Sequence, residues 1–341
     1  MIGLDMGRWA EFREVPGIVL RQAQALTLPV AELLHHLRQR RPNLVVTCAR
    51  GSSANAASLG KHLIENHLGI PVATLAPSIA SVYRRQLVLD GQLFLAISQS
   101  GQSDDLVESA LMAKTAGALT VAIVNHIDSP LAAACHIVLP MGAGPESEVA
   151  ATKTFVAALA VLMRLVASWA DDHALAAAIE RLPGRLTAAS AFDWRAALPV
   201  LAGASNAAIL GRGPTLAIAC EAALKLKEAC DLHAEAFSGA EFLHGPVAMV
   251  SARYPVLLFM PTDAAAAGLR ELAANLEHKG AIVLRTGHDG GFGLPVLPPD
   301  HPATDAACLV QSFYGFLAHL AERRGTDIHA PRHLRKVTRT R

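Results

Sequence analysis

Two stretches of this chain repeat one another at a fixed distance, and that repeat limits the fold more than any other feature. Setting Gly213 against Gly51 aligns "VVTCARGSSANAASLGKHLIE" with "AAILGRGPTLAIACEAALKLKE". The same offset carries "ISQSGQSDD" onto "FMPTDAAAA" and "ALTVAIVN" onto "GAIVLRTG". Each piece is a short apolar run, a turn and then helix-like sequence, the alternation expected of a parallel sheet with crossover helices. Two copies of one α/β unit are the expected architecture.

Periodicity predicts an amphipathic helix near residues 18–41, a buried strand in "NLVVTCA" and a helix from about Ser53 to Glu65. Further strands are expected in "VATLA", "LFLAIS", "LTVAIVN" and "HIVLP", then helices over roughly 152–171 and 173–190, before the alternation restarts at "NAAIL". With 52% hydrophobic and 17% charged residues, the chain is globular rather than disordered. Its longest apolar run, Phe155 to Met163, is closed by Arg164. That is far short of the roughly 20 residues of a membrane span. The opening "MIGLDMGRWAEFRE" carries charges where an export signal needs an apolar segment, so a cytoplasmic location is expected.

Five widely spaced cysteines with no C-x-x-C pair indicate neither a disulfide framework nor a zinc site. Net charge is +1, yet the last ten residues, "RHLRKVTRTR", contribute +5 and leave −4 for the rest. Nucleic-acid binding by the main body is therefore not expected.

Ligands of open parallel sheets lie beyond the carboxyl ends of the strands. There the first copy carries "RGSSAN", with Ser52 and Ser53, and "SQSGQS", with Ser98, Gln99, Ser100 and Ser103. Hydroxyls and an amide beside a helix N-terminus suit a phosphate, and the absence of a P-loop lysine argues against a nucleoside triphosphate. Ordinary helix capping also explains such serines when each is taken alone. The second copy has lost most of these hydroxyls.

A second candidate region runs from Glu221 to Pro246. Glu221, Lys225 and Glu228 share one helical face, either as an exposed ion-pair ladder or as carboxylates oriented by a lysine. Glu241 and His244 have E-x-x-H spacing, but the second such pair of a carboxylate-bridged metal centre is missing, so no metal is expected. His244 in "HGP" suits an accessible acid–base imidazole. Lys336 is either part of a solvated basic tail or an amine that folds back into a site.

Together "RGSS", "PSIASVYRRQ", "SQSGQSDD", "VAATKTF", "LGRGPT", "EAALKLKEACDLHAEAFSGAEFLHGPVA" and "PRHLRKVT" resemble, in order and over nearly the whole chain, the sugar isomerase (SIS) domain superfamily. The resemblance is to the isomerase half of glucosamine-6-phosphate synthase and to SIS-type glucosamine-6-phosphate deaminases. It implies an α/β fold of two tandem SIS domains, each a flavodoxin-like parallel sheet flanked by helices in three layers. The expected divisions are an N-terminal helical segment at 1–40, a phosphate-binding domain at 41–190, a catalytic domain at 191–328 and a closing tail at 329–341. It also implies a homodimer with a shared active site.

Carried over residue by residue, the resemblance implies that Ser52, Ser53, Ser98, Gln99, Ser100 and Ser103 bind a hexosamine or hexose 6-phosphate, with Val149 and Ala151 in the same binding set. Glu228 moves a proton between C1 and C2, Lys225 lies near the reacting carbons, His244 of a neighbouring subunit assists ring opening, and Lys336 engages the open-chain sugar. Where the synthase pattern reads "VAST" this chain reads "VAAT", so Ala151 lacks a hydroxyl. Residue 2 is Ile2 where a glutaminase domain opens on a nucleophilic cysteine, so glutamine-derived ammonia is not expected. The expected activity is glucosamine-6-phosphate deamination with no cofactor. The alternatives are another phosphosugar aldose–ketose isomerase, a deglycase, a glutaminase-less synthase-like enzyme, or a non-catalytic sugar-phosphate sensor.

Overall fold

The structure, a computed structural model, describes residues 11–287 and 292–336. The first ten residues, part of the stretch read for an export signal, and the last five of the basic tail lie outside the described residues.

The chain forms α1 (Val15–Gln39), β1 (Val45–Ala49), α2 (Gly51–Leu68), β2 (Val72–Thr74), α3 (Ser78–Ser81), β3 (Leu93–Ser98), α4 (Asp104–Thr115), β4 (Leu119–Val124), α5 (Pro130–Ala134) and β5 (Ile137–Pro140). Two long helices follow, α6 (Lys153–Ala170) and α7 (His173–Ala189). The alternation then resumes with α8 (Leu198–Leu201), β6 (Asn206–Gly211), α9 (Pro214–Cys230), β7 (His233–Ser238), α10 (Gly239–Phe242), β8 (Pro255–Leu258), α11 (Ala266–His278), β9 (Ile282–Thr286), β10 (Phe292–Leu294) and α12 (Pro302–Arg324).

Two five-stranded sheets result, ordered β2-β1-β3-β4-β5 and β10-β9-β8-β6-β7, and every strand pair in them is parallel. Numbered within each half, both orders read 2-1-3-4-5, the doubly wound flavodoxin-like arrangement. The repeat seen in the sequence is a repeat in space. β3 and β8 start at Leu93 and Pro255, α4 and α11 at Asp104 and Ala266, and α2 and α9 end at Leu68 and Cys230, each pair separated by the same interval as Gly51 and Gly213. The offset fails at the fifth strand: β5 starts at Ile137, and β10, at Phe292, begins earlier than the offset would place it.

The described chain divides into two compact units. One comprises Gly17–Ser147, Lys153–Glu180 and the segment from Arg335, and holds the first sheet; the other comprises the residues to Pro16, Glu148–Thr152 and Arg181–Leu334, and holds the second. In the first, Val46, Phe94, Ala96, Ala122 and Val124 point to one face and pack with Leu106, Ala110 and Ala113 of α4. In the second, Ala208, Leu210, Val256, Leu258 and Val283 pack with Leu269, Leu272, Ala273 and Leu276 of α11. Strands buried on both faces read as continuous apolar runs, which is why most were legible.

α6 is long and apolar enough to cross a membrane by composition, but 78% of its length is buried within the fold. Packing of α6 against α2 depends on Gly60, where a Cβ would lie 3.0 Å from Leu162 Cδ2.

The cysteines are free thiols; Cys48, Cys135, Cys230 and Cys308 are buried, and Cys220 is half-buried. Burial pushes Cys48, Cys230 and Cys308 up to about 12 and Cys135 to about 11. The thiolate is the reactive form. These four are therefore expected to resist a disulfide reagent such as DTNB in the folded protein at mildly alkaline pH, and to react promptly once guanidinium unfolds the chain. Fast native-state labelling of all of them would contradict the packing.

Candidate functional site

The first sheet brings two hydroxyl-rich loops to the carboxyl ends of its neighbouring strands β1 and β3. After β1, Arg50 occupies the N-cap of α2 in extended conformation (φ −132°, ψ 155°), and its side chain makes no capping hydrogen bond. Ser52 and Ser53 follow, half-buried in the first turn of that helix.

β3 ends at Ser98, which is buried and whose Oγ accepts a hydrogen bond from Gly101 N at 3.0 Å. Gln99 and Ser100 are half-buried in the turn, where Ser100 Oγ accepts from Gln102 N at 3.3 Å. Gly101 has φ +63°, and a Cβ there would stand 2.1 Å from Ser129 Oγ. Its carbonyl also accepts from Leu131 N at 3.0 Å, so the turn is held against the start of α5 with no room for a side chain. Ser103 sits at the N-cap of α4, yet its hydroxyl makes no capping bond. Simple capping therefore does not account for Ser103, and its hydroxyl stands beside a helix N-terminus whose first N–H groups attract anions. An open hollow of about 370 Å³ beside this loop is lined by Gln102, Asn125, His126 and Ser129, among others.

The two loops are tied together from behind. Arg50 donates to Asp105 Oδ2 from Nε at 3.1 Å and Nη2 at 2.7 Å, and Asp105 is 1% exposed. This pair offsets a carboxylate that would otherwise oppose an anion near the loop. Asp104, by contrast, is exposed.

Lys336 lies in the same unit. Its Nζ donates to Glu146 Oε2 at 3.0 Å, and Glu146, with a fully buried side chain, also accepts from Thr154 N at 3.2 Å and Thr154 Oγ1 at 2.8 Å. The tail lysine is thus folded back onto a buried carboxylate rather than left in solvent.

In the other unit, α9 leaves the carboxyl end of β6 and carries Glu221, Lys225 and Glu228 on one face. Lys225 Nζ lies 2.5 Å from Glu228 Oε2 and 3.5 Å from Glu221 Oε1. Tyr314 OH of α12 donates to Glu221 Oε1 at 3.3 Å. Lys225 and Glu221 have side chains 1% and 0% exposed, while Glu228 keeps 21%. An exposed ion-pair ladder is therefore excluded: a buried cation is held between two carboxylates, and only Glu228 reaches the surface.

His244 lies in the exposed turn after α10, and among the described residues it shows no hydrogen bond to Glu228. Val149 and Ala151 are half-buried within Glu148–Thr152, the short segment that belongs to the second-sheet unit although its neighbours on both sides do not. The structure thus joins the two serine loops in one unit and Lys225 with Glu228 in the other. Among the described residues no cluster of three His, Cys, Asp or Glu side chains is placed to hold a metal ion.

The second copy shows what became of the lost hydroxyls. Thr215, aligned with Ser53, is buried; its Oγ1 accepts from Arg212 N at 3.1 Å and donates to Phe259 O at 2.9 Å. It closes the ends of β6 and β8 instead of facing a crevice. Arg50–Asp105, Lys336–Glu146 and Tyr314–Glu221 were missed by sequence reasoning, since nothing local marks partners so far apart in the chain.

The SIS domain profile matches residues 36–168 and 200–290. The chain is 33% identical over 309 residues to the glutamine–fructose-6-phosphate aminotransferase (isomerizing) of Thermotoga maritima, covering 86% of this chain and 50% of that protein. It spans about half the length of the curated relatives it matches. A crystal structure from Silicibacter pomeroyi DSS-3, provisionally described as a phosphosugar isomerase, has a TM-score of 0.90 at 43% identity, covering 94% of this chain and 98% of that one. The glucosamine-6-phosphate deaminase of Thermotoga maritima has a TM-score of 0.74 at 22% identity, covering 96% of this chain and 100% of that one, a likeness of fold alone.

Proposed function

Because the chain belongs to the SIS domain family, we propose that it is a phosphosugar enzyme, specifically a deaminase converting glucosamine 6-phosphate and water to fructose 6-phosphate and ammonia. The observation that carries the reading is the Lys225–Glu228 pair on α9: a carboxylate with an exposed edge, held 2.5 Å from a buried ammonium. That arrangement suits a base that must be fixed in direction and still reach a substrate.

In the proposed reaction the phosphate is held by the Ser98–Ser103 turn together with Ser52 and Ser53. The sugar opens with help from His244, exposing a C1 aldehyde that acidifies the neighbouring C2–H bond. Glu228 takes the C2 proton and returns it to C1 while a proton passes from the amine nitrogen to the C1 oxygen, so the aldehyde becomes a CH2OH group and the C2 amine a C2 imine. Water adds to that carbon, the C–N bond breaks, and ammonia leaves with the keto group in its place. Lys225 aims Glu228, and Lys336 engages the open chain after leaving Glu146. Val149 and Ala151 are assigned to sugar contacts through backbone atoms. A homodimer sharing its active site, in the cytoplasm, completes the proposal.

The phosphate assignment has its own test. Ser100→Ala/Ser103→Ala is expected to raise KM for a hexosamine 6-phosphate by roughly tenfold or more, since hydrogen bonds to a charged group are each worth about 1.5–3 kcal/mol, while kcat changes less. An unchanged KM would remove those hydroxyls from the site. The activity itself is tested by ammonia release from a panel of hexosamine 6-phosphates. Silence across the panel with retained phosphosugar binding would favour the sensor.

A further inference from the structure

At the carboxyl ends of β8 and β9 the second-sheet unit holds a cavity of about 410 Å³, within the size range of small-molecule sites. Its walls come from the β8 turn, β9, α7, α11, α12 and the strap at residues 296–299, all within that one unit. The turn Met260–Thr262 is the second-copy counterpart of Ser98–Ser100 under the alignment of Gly213 with Gly51. The cavity therefore shares one wall with the counterpart of the first copy's phosphate turn, at the carboxyl ends of the strands, where such sheets bind ligands.

Its chemistry has changed from that of the first copy. Hydrocarbon from Met260, Val296, Leu297 and Leu309 lines much of it, and three arginines, Arg185, Arg270 and Arg285, face a single carboxylate, Asp305. That carboxylate is already occupied: it accepts from Arg185 Nη2 at 2.7 Å, from Thr262 Oγ1 at 2.6 Å and from Asp300 N at 3.1 Å. Arg285 has an interaction of its own, so the charge the lining leaves for a ligand is that of Arg270. Arg270, exposed on α11, has no ion-pair partner among the described residues.

We propose that this cavity binds a small organic anion, with a phosphate or carboxylate head on Arg270 and an apolar body against Met260, Leu297 and Leu309. A second sugar phosphate is disfavoured, because a sugar ring would bury its hydroxyls against hydrocarbon without partners. The ligand is an amphiphilic anion, and the site is separate from the serine loops that hold the substrate phosphate in the reading above.

The test is calorimetric titration of the full chain, in phosphate-free buffer, with phenyl phosphate and with benzoate, using benzyl alcohol as the neutral control. The protein carries Ser100→Ala/Ser103→Ala, so that the first crevice does not contribute. Expected are saturable binding of an anion at one per chain and weaker or no binding of benzyl alcohol. Arg270→Gln should lose roughly tenfold in affinity, the worth of one charge-assisted hydrogen bond, and Arg270→Lys should retain most of it. Either ordering of the two anions supports the site and identifies its preferred head group. No saturable anion binding, equal binding of benzyl alcohol, or unchanged affinity in Arg270→Gln would overturn it. The readout is binding without turnover, so failure here leaves the deaminase reading standing, and the converse holds.

Discussion

Glu228→Gln is expected to lower ammonia release by about 10²–10⁴-fold, the range lost with a positioned general base, while leaving phosphosugar affinity within a few-fold of the parent. The amide keeps the shape of the side chain and removes its ability to take the C2 proton. Glu228 is the member of the α9 trio with an exposed edge, so folding should be little affected; urea denaturation of the variant checks this. A variant that retains near-parental turnover would remove Glu228 from the chemistry. The proposed base would then have to be sought elsewhere.

The second large effect is on stability. Lys225→Met leaves the fully buried Glu221 carboxylate without its ammonium partner, and breaking a buried pair from one side costs about 3–5 kcal/mol. Removing both charges, in Lys225→Met/Glu221→Leu, is expected to recover most of that loss, since a buried pair replaced by hydrocarbon is often neutral. Urea midpoints of the two variants, read at equal denaturant slope, decide the matter. If the single variant is as stable as the parent, the buried trio is not the energetic unit proposed. Activity should be low in both variants, because Lys225 also aims Glu228.

These expectations rest on features that the chain reveals unevenly. Strands buried on both faces, such as Leu93–Ser98, are continuous apolar runs and stand out. β7, "HAEAFS", does not: His233 and Glu235 face outward at its start, and a polar, alternating strand at a sheet edge resembles a loop. β10 is short and departs from the constant offset that exposed its neighbours. The serine loops were legible because their chemistry is compressed into a few adjacent positions. Whether those serines merely cap helices was not, because a Ser103 hydroxyl without a capping bond is visible only in three dimensions.

The same holds for charge. Helical spacing placed Glu221, Lys225 and Glu228 on one face, but it cannot report burial, which separates an ion-pair ladder from an enclosed ammonium. Arg50 and Asp105 are 55 residues apart, Tyr314 and Glu221 93, and Lys336 and Glu146 190. Pairs at such separations follow from the fold and leave no local pattern to read.

The central claim is that the chain removes the amine from an amino sugar phosphate by proton transfer and hydrolysis. It is tested most directly by measuring ammonia and fructose 6-phosphate together as the purified protein turns over glucosamine 6-phosphate. The account predicts that the two appear in a one-to-one ratio and that both fall together in Glu228→Gln. Interconversion of fructose 6-phosphate and an aldose phosphate with no ammonia formed from the amino sugar would contradict it, and would make the protein an isomerase instead.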